Sequence, residues 1–173
     1  MIKNENIEKL KSLDYSHIYT TALKHILEIH ESASKYSGGL ALELGSYLGH
    51  STLAIALAGL DVVVYDTDDT VKDKREDLLS EFNVEWHCKM SIEATEEVRQ
   101  FDFIFHDSDH GDKMIEEMTD LFNNKLKEGG LMMIHDAELL SLPDLLSKLK
   151  SYQTKYTLDN RGRAMLSLYK TKL

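Results

Sequence analysis

Very little in this chain can cross-link or stiffen it. Its 173 residues include one cysteine, Cys88, and one proline, Pro143. A single cysteine forbids an intrachain disulfide, which excludes a disulfide-stapled scaffold, and Cys88 is expected to be a small buried apolar residue. With no Pro/Gly/Ser tract and no internal repeat, nothing marks a linker. Residues 1–173 are therefore read as one domain, with N-terminal helices in 1–37, a candidate lid, and a core over 38–173. The longest apolar run, Leu53 to Leu60, is interrupted by Gly59 and is far short of the ~20 residues that span a bilayer. The N-terminal MIKNENIEKL is charged and lacks the apolar centre of a signal peptide, so the cytoplasm is the default location. Positive charge is scarce as well: 20 Lys+Arg face 30 Asp+Glu, a net of −10 with the eight histidines neutral. Binding nucleic acid or anionic lipid requires a basic face, so neither nucleic acid nor membrane is expected as a partner. An acidic protein instead suits cationic small molecules.

What is present is an ordinary globular composition, 42% hydrophobic and 29% charged, enough for one sizeable core without a metal or disulfide staple. Ile7, Leu10 and Leu13, then Ile18, Ala22, Ile26, Ile29 and Ala33, fall at helical spacing and predict helices over 3–13 and 17–34. From Gly38-Gly39 onward the period changes. Leu40–Leu44 reads as a buried strand, 51–58 as a helix, and Asp61–Tyr65 as a second, β-branched strand. Residues 71–81 read as a charged helix, 84–88 as a strand and 92–99 as a short helix. Phe101–Phe105 is a fourth strand. A helix follows over 113–126 with Met114, Met118, Leu121 and Phe122 inward, broken by Gly129-Gly130 before a fifth strand at 131–134. Pro143 starts a last helix, and 155–158 and 165–169 form a closing hairpin. Alternating strands and helices with near-continuous apolar strands predict a parallel sheet covered on both faces, an α/β doubly wound architecture. Ligands bind such sheets at the carboxyl ends of the strands.

The residues at those ends are polar in a patterned way. After strand one comes ELGSYLGHST: Gly45 and Gly49 allow tight turning and close backbone approach, and the helix N-terminus behind them suits a carboxylate. Glu43 can take an ammonium or order the loop, and His50, opening the helix, can face a ligand. The spacing is neither the dinucleotide G-x-G-x-x-G nor a Walker loop with its lysine, which argues against a nicotinamide enzyme. After strand two, Asp66, with Asp68 as second choice, is placed to accept both hydroxyls of a ribose. After strands four and five come His106-Asp107-Ser108-Asp109-His110 and His135-Asp136. Carboxylates and imidazoles gathered in this way supply a base or bind a cation, and histidine ligands favour a transition metal over magnesium. The remaining histidines are read as surface or packing residues: His17, His25 and His30 in the N-terminal helices, and His87 in strand three.

Taken together, LALELGSYLGHSTLAIA, VVVYDTD, FDFIFHDSDH and KEGGLMMIHDAE resemble class I S-adenosylmethionine-dependent methyltransferases. They are most similar to the small-molecule O-methyltransferase-like group (methyltransferase family 24-like), whose fourth strand ends in Asp-Gly-Asp-His and fifth in an acidic pair or His-Asp. The resemblance covers about residues 38–170. It implies a Rossmann-like, three-layer αβα fold with a seven-stranded sheet in the order 3-2-1-4-5-7-6 and strand seven antiparallel. It implies S-adenosylmethionine as cofactor and a hydroxyl of a small-molecule acceptor as its target, with a homodimer common in the family. By the same resemblance, Glu43, Gly45, Ser46 and Gly49 hold the methionine part, Asp66 the ribose, and Met90 and Ser91 border the adenine, with Asp107 beside the cofactor. Met90 replaces an acid often found there, so the base is expected to be held by backbone and packing, and Met90 is equally readable as core. The metal-dependent branch places a divalent cation, magnesium or a transition metal, on Asp107, His135 and Asp136. His-Asp in place of Asp-Asp or Asp-Asn argues against magnesium, and Asp109 or His110 would then act as the base. The short chain leaves little room for a separate substrate domain, so a non-catalytic S-adenosylmethionine-binding or interaction module on this fold is the alternative.

Overall fold

The computed structural model describes residues 4–17, 20–108 and 114–172. Helix α1 (Asn4–Lys11) and helix α2 (Leu23–Ala33) precede the sheet. The second is shorter than its sequence pattern over 17–34, because residues 17 and 20–22 do not take helical form; Ile18 lies outside the described residues. Strands β1 (Leu40–Leu44), β2 (Asp61–Tyr65) and β3 (Val84–His87) alternate with helices α3 (His50–Leu57) and α4 (Lys72–Leu79). Strand β4 (Phe101–His106), helix α5 (Met114–Asp120), strand β5 (Leu126–His135), helix α6 (Leu142–Lys148) and the hairpin β6 (Tyr152–Leu158) and β7 (Ala164–Lys170) complete the chain. They form one seven-stranded sheet in the order β3-β2-β1-β4-β5-β7-β6, with β7 antiparallel to both neighbours. This is the expected doubly wound topology.

Strand alternation explains why nearly every position is apolar. Leu42, Leu44, Val63, Ile104, Met132 and Ile134 face one core with α5 and α6. Ala41, Val62, Val64, Phe103, Phe105, Leu131 and Met133 face the other with α1, α2 and α3. Side chains on a strand point alternately to the two faces, so both faces must be covered. The same alternation carries three polar residues inward. Glu43 falls on the α3 face, His135 on the α2 face, and His106 on the α5 face.

Five further details depart from expectation. Residues 91–96 form a 3-10 turn rather than an α-helix, and α5 widens into a π turn over Leu121–Lys125. Strand β5 starts at Leu126, ahead of the glycine pair. Leu126 already pairs with Phe101 and Leu131 with Phe103, so residues 127–130 form a bulge inside the ladder; the pair shifts the register rather than ending a helix. Cys88 is exposed, not buried, because it lies one residue past the end of β3. Met90 is also exposed, at 62%, so it is not core. Among the described residues no helix is long and apolar enough to cross a membrane.

Candidate active site

Five strand ends and the N-terminal segment enclose a cavity of about 610 Å³. Its wall takes Gly45, Ser46, Tyr47, Leu48, His50 and Ser51 from the turn after β1, and Asp66, Thr67 and Asp68 from the turn after β2. Lys89, Met90 and Ser91 follow β3, Asp107 and Ser108 follow β4, and Asp136 follows β5. Because sheet order sets the order of the turns, the first three groups form one end of the cavity. Asp107, Ser108 and Asp136, joined by Thr20, Thr21 and Arg163, form the other.

The glycine turn is the tightest point. Gly45 has φ +77, and a Cβ there would lie 2.3 Å from the Asp107 carbonyl oxygen. Its N–H donates to Tyr65 O (2.9 Å), and Asp107 N–H donates to Leu44 O (2.8 Å). The ends of β1, β2 and β4 are thereby drawn together where only glycine fits. Gly49, also left-handed at φ +81, caps the start of α3 but is not on the wall.

Asp66 holds this turn from the other side. Its Oδ2 accepts the N–H groups of Ser46 and Tyr47, both at 2.8 Å, and its Oδ1 accepts that of Asp68 (2.8 Å). The Arg75 guanidinium, buried over the Trp86 ring at 4.8 Å, stands 3.3 Å from the same Oδ2. Within the highly charged α4, Arg75 thus has a defined task that its surroundings in sequence conceal. Replacing Asp66 with Asn sets an amide against donors that need an acceptor. The expected cost is about 1–2 kcal/mol, read as a thermal midpoint a few degrees lower, with roughly tenfold weaker nucleoside binding. Unchanged values for both would remove Asp66 from this role.

Glu43 is fully buried and does not reach the wall. Its Oε2 accepts the Thr52 hydroxyl at 2.5 Å, which ties β1 to α3. Of the two tasks open to it in sequence, ordering the loop is the one its position serves. Burial pushes its carboxyl up to about 8, against the opposing hydrogen bonds of Ser51 and Thr52 and with the nearby charges of Asp66 and Asp107 adding to the rise.

At the other end, Asp107, His135 and Asp136 each offer a ligand atom, all within 4.8 Å of one another. His135 Nδ1 hydrogen-bonds to Asp107 Oδ1 at 3.1 Å and lies 3.1 Å from Asp136 Oδ1. The imidazole is itself buried, and its Nε2 has no hydrogen-bond partner. Burial disfavours the charged ring, but the Asp107 and Asp136 carboxylates outweigh it and raise His135 above its usual range. Burial also raises Asp136; His135 opposes the rise and the Asp107 charge adds to it. Asp136 adopts the left-handed region at φ +51, a strained turn that brings it beside Asp107. Asp109 and His110 lie outside the described residues.

Several residues on or beside the wall carried no sequence signal as such. Thr21 donates to Asp107 Oδ2 at 2.9 Å. Arg161 holds the Tyr15 and Thr20 carbonyls at 2.9 and 3.3 Å, which pins the N-terminal segment over the cavity. Arg163, with Nε 3.9 Å from Asp136, is a residue that sheet topology alone could have pointed to. An antiparallel β7 begins where its parallel neighbours end, and His135 pairs with Met165. His50 does face the cavity, packed edge-on to Tyr15. His25 and His30 are packing residues. His30 Nδ1 donates to Ala54 O at 2.9 Å, and His25 lies edge-on to His135 with ring centroids 5.3 Å apart.

A Rossmann-like sheet in this strand order, with a glycine turn and an acidic cavity at its carboxyl ends, is the architecture of class I methyltransferases. A profile described as methyltransferase domain matches residues 42–137, more than half of the chain. The chain belongs to that family. No curated protein matches it by sequence. Among solved structures it is similar to a methyltransferase from Geobacter sulfurreducens, at 17% identity and a TM-score of 0.77, over 98% of this chain and 90% of that one. It is also similar to the O-methyltransferase of Bacillus cereus in complex with SAH, at 14% identity and a TM-score of 0.71, over 97% and 92%. A third is TomG, an O-methyltransferase of Streptomyces achromogenes involved in tomaymycin synthesis, in complex with SAM, at 15% identity and a TM-score of 0.71, over 96% and 88%. At these identities the likeness is one of fold.

Proposed function

We propose that this protein is an S-adenosylmethionine-dependent methyltransferase acting on a hydroxyl of a small molecule, with a divalent metal at the acceptor end. The observation that carries the reading is the single cavity that joins the Gly45 turn to the Asp107–His135–Asp136 cluster. Its described wall holds Asp66, Asp68, Asp107 and Asp136 against Lys89 and Arg163, a field that favours a cationic sulfonium. The cavity volume suits a nucleoside with an amino-acid tail, and the close approach at Gly45 leaves backbone rather than side chain facing it. The SAH- and SAM-bound states of the Bacillus cereus and Streptomyces achromogenes proteins support the same assignment.

S-adenosylmethionine supplies an electrophilic methyl group. The protein's contribution to an in-line displacement is to fix both reactants and to manage the acceptor's proton. Gly45 and Ser46 would border the methionine part, Asp66 and Asp68 the ribose, and Met90 and Ser91 the base. Thr21 and Asp107 would orient the acceptor hydroxyl, and Asp109 or His110 would take its proton. Two carboxylates and one imidazole within ligand reach, with Asp136 Oδ1 accepting no hydrogen bond among the described residues, fit a divalent transition metal better than magnesium. A cation held there would lower the hydroxyl's pKa.

Calorimetry with S-adenosylmethionine and S-adenosylhomocysteine tests the first part; binding of neither would sink it. Asp136→Ala is expected to weaken Mn²⁺ binding at least tenfold and to slow methyl transfer, while nucleoside affinity changes less than threefold. Equal Mn²⁺ binding by both proteins would remove the metal from the reading.

A further inference from the structure

Four buried polar atoms behind the Asp107–His135–Asp136 cluster have no hydrogen-bond partner among the described residues. They are His135 Nε2, both ring nitrogens of His25, and Asp159 Oδ2. They come from β5, from α2 and from the turn between β6 and β7. His25 is 0% exposed, His135 1% and Asp159 8%. Packing accounts for the His25 ring, which lies edge-on to His135, but not for its nitrogens. Asp159 is within electrostatic reach of both imidazoles. Buried polar groups are nearly always paired, so four neighbouring orphans call for a cause. Asp159 Oδ1 accepts the N–H groups of Arg161 (2.8 Å) and Arg163 (2.9 Å), which fixes the carboxylate to the turn and leaves Oδ2 over. Glu28, the other carboxylate near His25, is engaged at both oxygens, with Lys155 at 2.6 Å and Thr157 at 2.8 Å.

We propose that His25 and Asp159 are positioning residues for a divalent transition metal: they hold the hydrogen of His135 on Nε2 and so keep the Nδ1 lone pair open to the ion. The inference rests on the cation reading of Asp107, His135 and Asp136 and deepens it. Nδ1 is the atom of His135 that faces the site, 3.1 Å from an oxygen of each aspartate. When Nδ1 gives its lone pair to a metal, its hydrogen leaves to solvent, and the hydrogen that the ring keeps is on Nε2. That buried N–H needs an acceptor, as the outward nitrogen of a metal-ligating imidazole generally does. A neutral imidazole has one lone pair and one hydrogen. His25 therefore accepts from His135 Nε2 and donates to Asp159 Oδ2, and two hydrogen bonds satisfy all four atoms. With ring centroids 5.3 Å apart, the chain closes by side-chain rotation and needs no movement of α2 or β5.

Calorimetry with Mn²⁺ on the full chain tests this without turnover. Asp159→Asn keeps the acceptor for the Arg161 and Arg163 N–H groups but turns an NH₂ group toward His25. The chain then runs backwards: His25 accepts from the amide and donates to His135 Nε2, which drives the His135 hydrogen onto Nδ1, where the metal must bind. Mn²⁺ affinity is expected to fall about tenfold or more. His25→Phe fills the space without a relay and should lose as much. His25→Gln, whose amide both accepts and donates, should recover to within about threefold of the wild type. A packing role alone gives the opposite order, because phenylalanine conserves the ring and glutamine does not. Unchanged Mn²⁺ binding in Asp159→Asn, or binding by His25→Phe equal to or tighter than that of His25→Gln, would overturn the inference and leave the cation reading intact. Asp159→Asn decides alone if a His25 variant fails to fold, and the two His25 variants decide if Asp159→Asn does. Absence of Mn²⁺ binding by the wild type would remove both readings.

Discussion

Gly45→Ala is expected to abolish nucleoside binding and to cost the fold about 3 kcal/mol or more. Two penalties coincide at this position. A left-handed φ of +77 is costly for any residue with a Cβ, on the order of 1–3 kcal/mol. The added carbon would also lie 2.3 Å from the Asp107 carbonyl oxygen and 2.8 Å from its carbonyl carbon. These are backbone atoms, which cannot swing aside as the end of a flexible side chain can. Relief requires β1 and β4 to separate at their carboxyl ends, which stretches the Asp107 N–H to Leu44 O bond and moves Asp107 away from His135. The prediction is a thermal midpoint lower by roughly 6–12 °C for a chain of this size. S-adenosylhomocysteine affinity should fall more than a hundredfold, and Mn²⁺ binding should weaken in parallel. A variant that binds nucleoside normally would show that the turn relaxes without involving the site.

The second large effect concerns pH. Glu43 carries a folded-state pKa of about 8 against an ordinary value of 4.5. The native state therefore holds a proton on Glu43 that the unfolded chain has already released between those limits. Stability consequently falls as pH rises from about 4.5 to about 8, by up to ~1.4 kcal/mol per pH unit, and several kcal/mol are lost above that range. Other groups with shifted pKa values also contribute to the pH dependence. His135 and Asp136, both raised, act in the same direction; His25 and His50, both lowered by burial, act in the opposite one. The difference between wild type and Glu43→Gln isolates the one carboxyl. The amide has the same shape, can accept the Thr52 hydroxyl, and never ionises. The two proteins are expected to melt together near pH 5 and to diverge by on the order of 10 °C at pH 9, with the glutamine variant the more stable. Parallel melting curves from pH 5 to pH 9 would mean that Glu43 has an ordinary pKa.

Both effects sit on residues singled out in the sequence, but for reasons that changed. In sequence Gly45 marks a turn that lets backbone approach a ligand; the atom it approaches most closely is the protein's own Asp107 carbonyl. From sequence Glu43 can take an ammonium or order the loop, and strand alternation turns it away from the cavity toward Thr52. From sequence Asp66 is placed to accept a ribose, and most of its hydrogen-bonding capacity is spent holding Ser46, Tyr47 and Asp68 in place. Most residues named from strand-end position lie together on the cavity wall, because strand ends converge in any sheet of this order. Contacts between elements distant in sequence were not legible. Thr21 reaches Asp107 across 86 residues, and Ser91 reaches Glu117 across 26, with no periodic pattern in the intervening chain to announce either.

The sequence by itself determined the architecture. Its apolar strands, the charged and amphipathic helices between them, and the glycines at their junctions admit few arrangements, because each strand needs both faces covered and each parallel crossover needs a helix. It also determined which strand ends carry polar residues, and so where the acidic cavity lies. Only the tertiary structure decided what each of those residues does. That depends on which face of a strand a side chain leaves from and on what the neighbouring element presents to it. Those relations set whether a carboxylate meets solvent, a backbone N–H group, a hydroxyl or another charge, and that neighbour, more than the residue type, fixes its protonation and its partners.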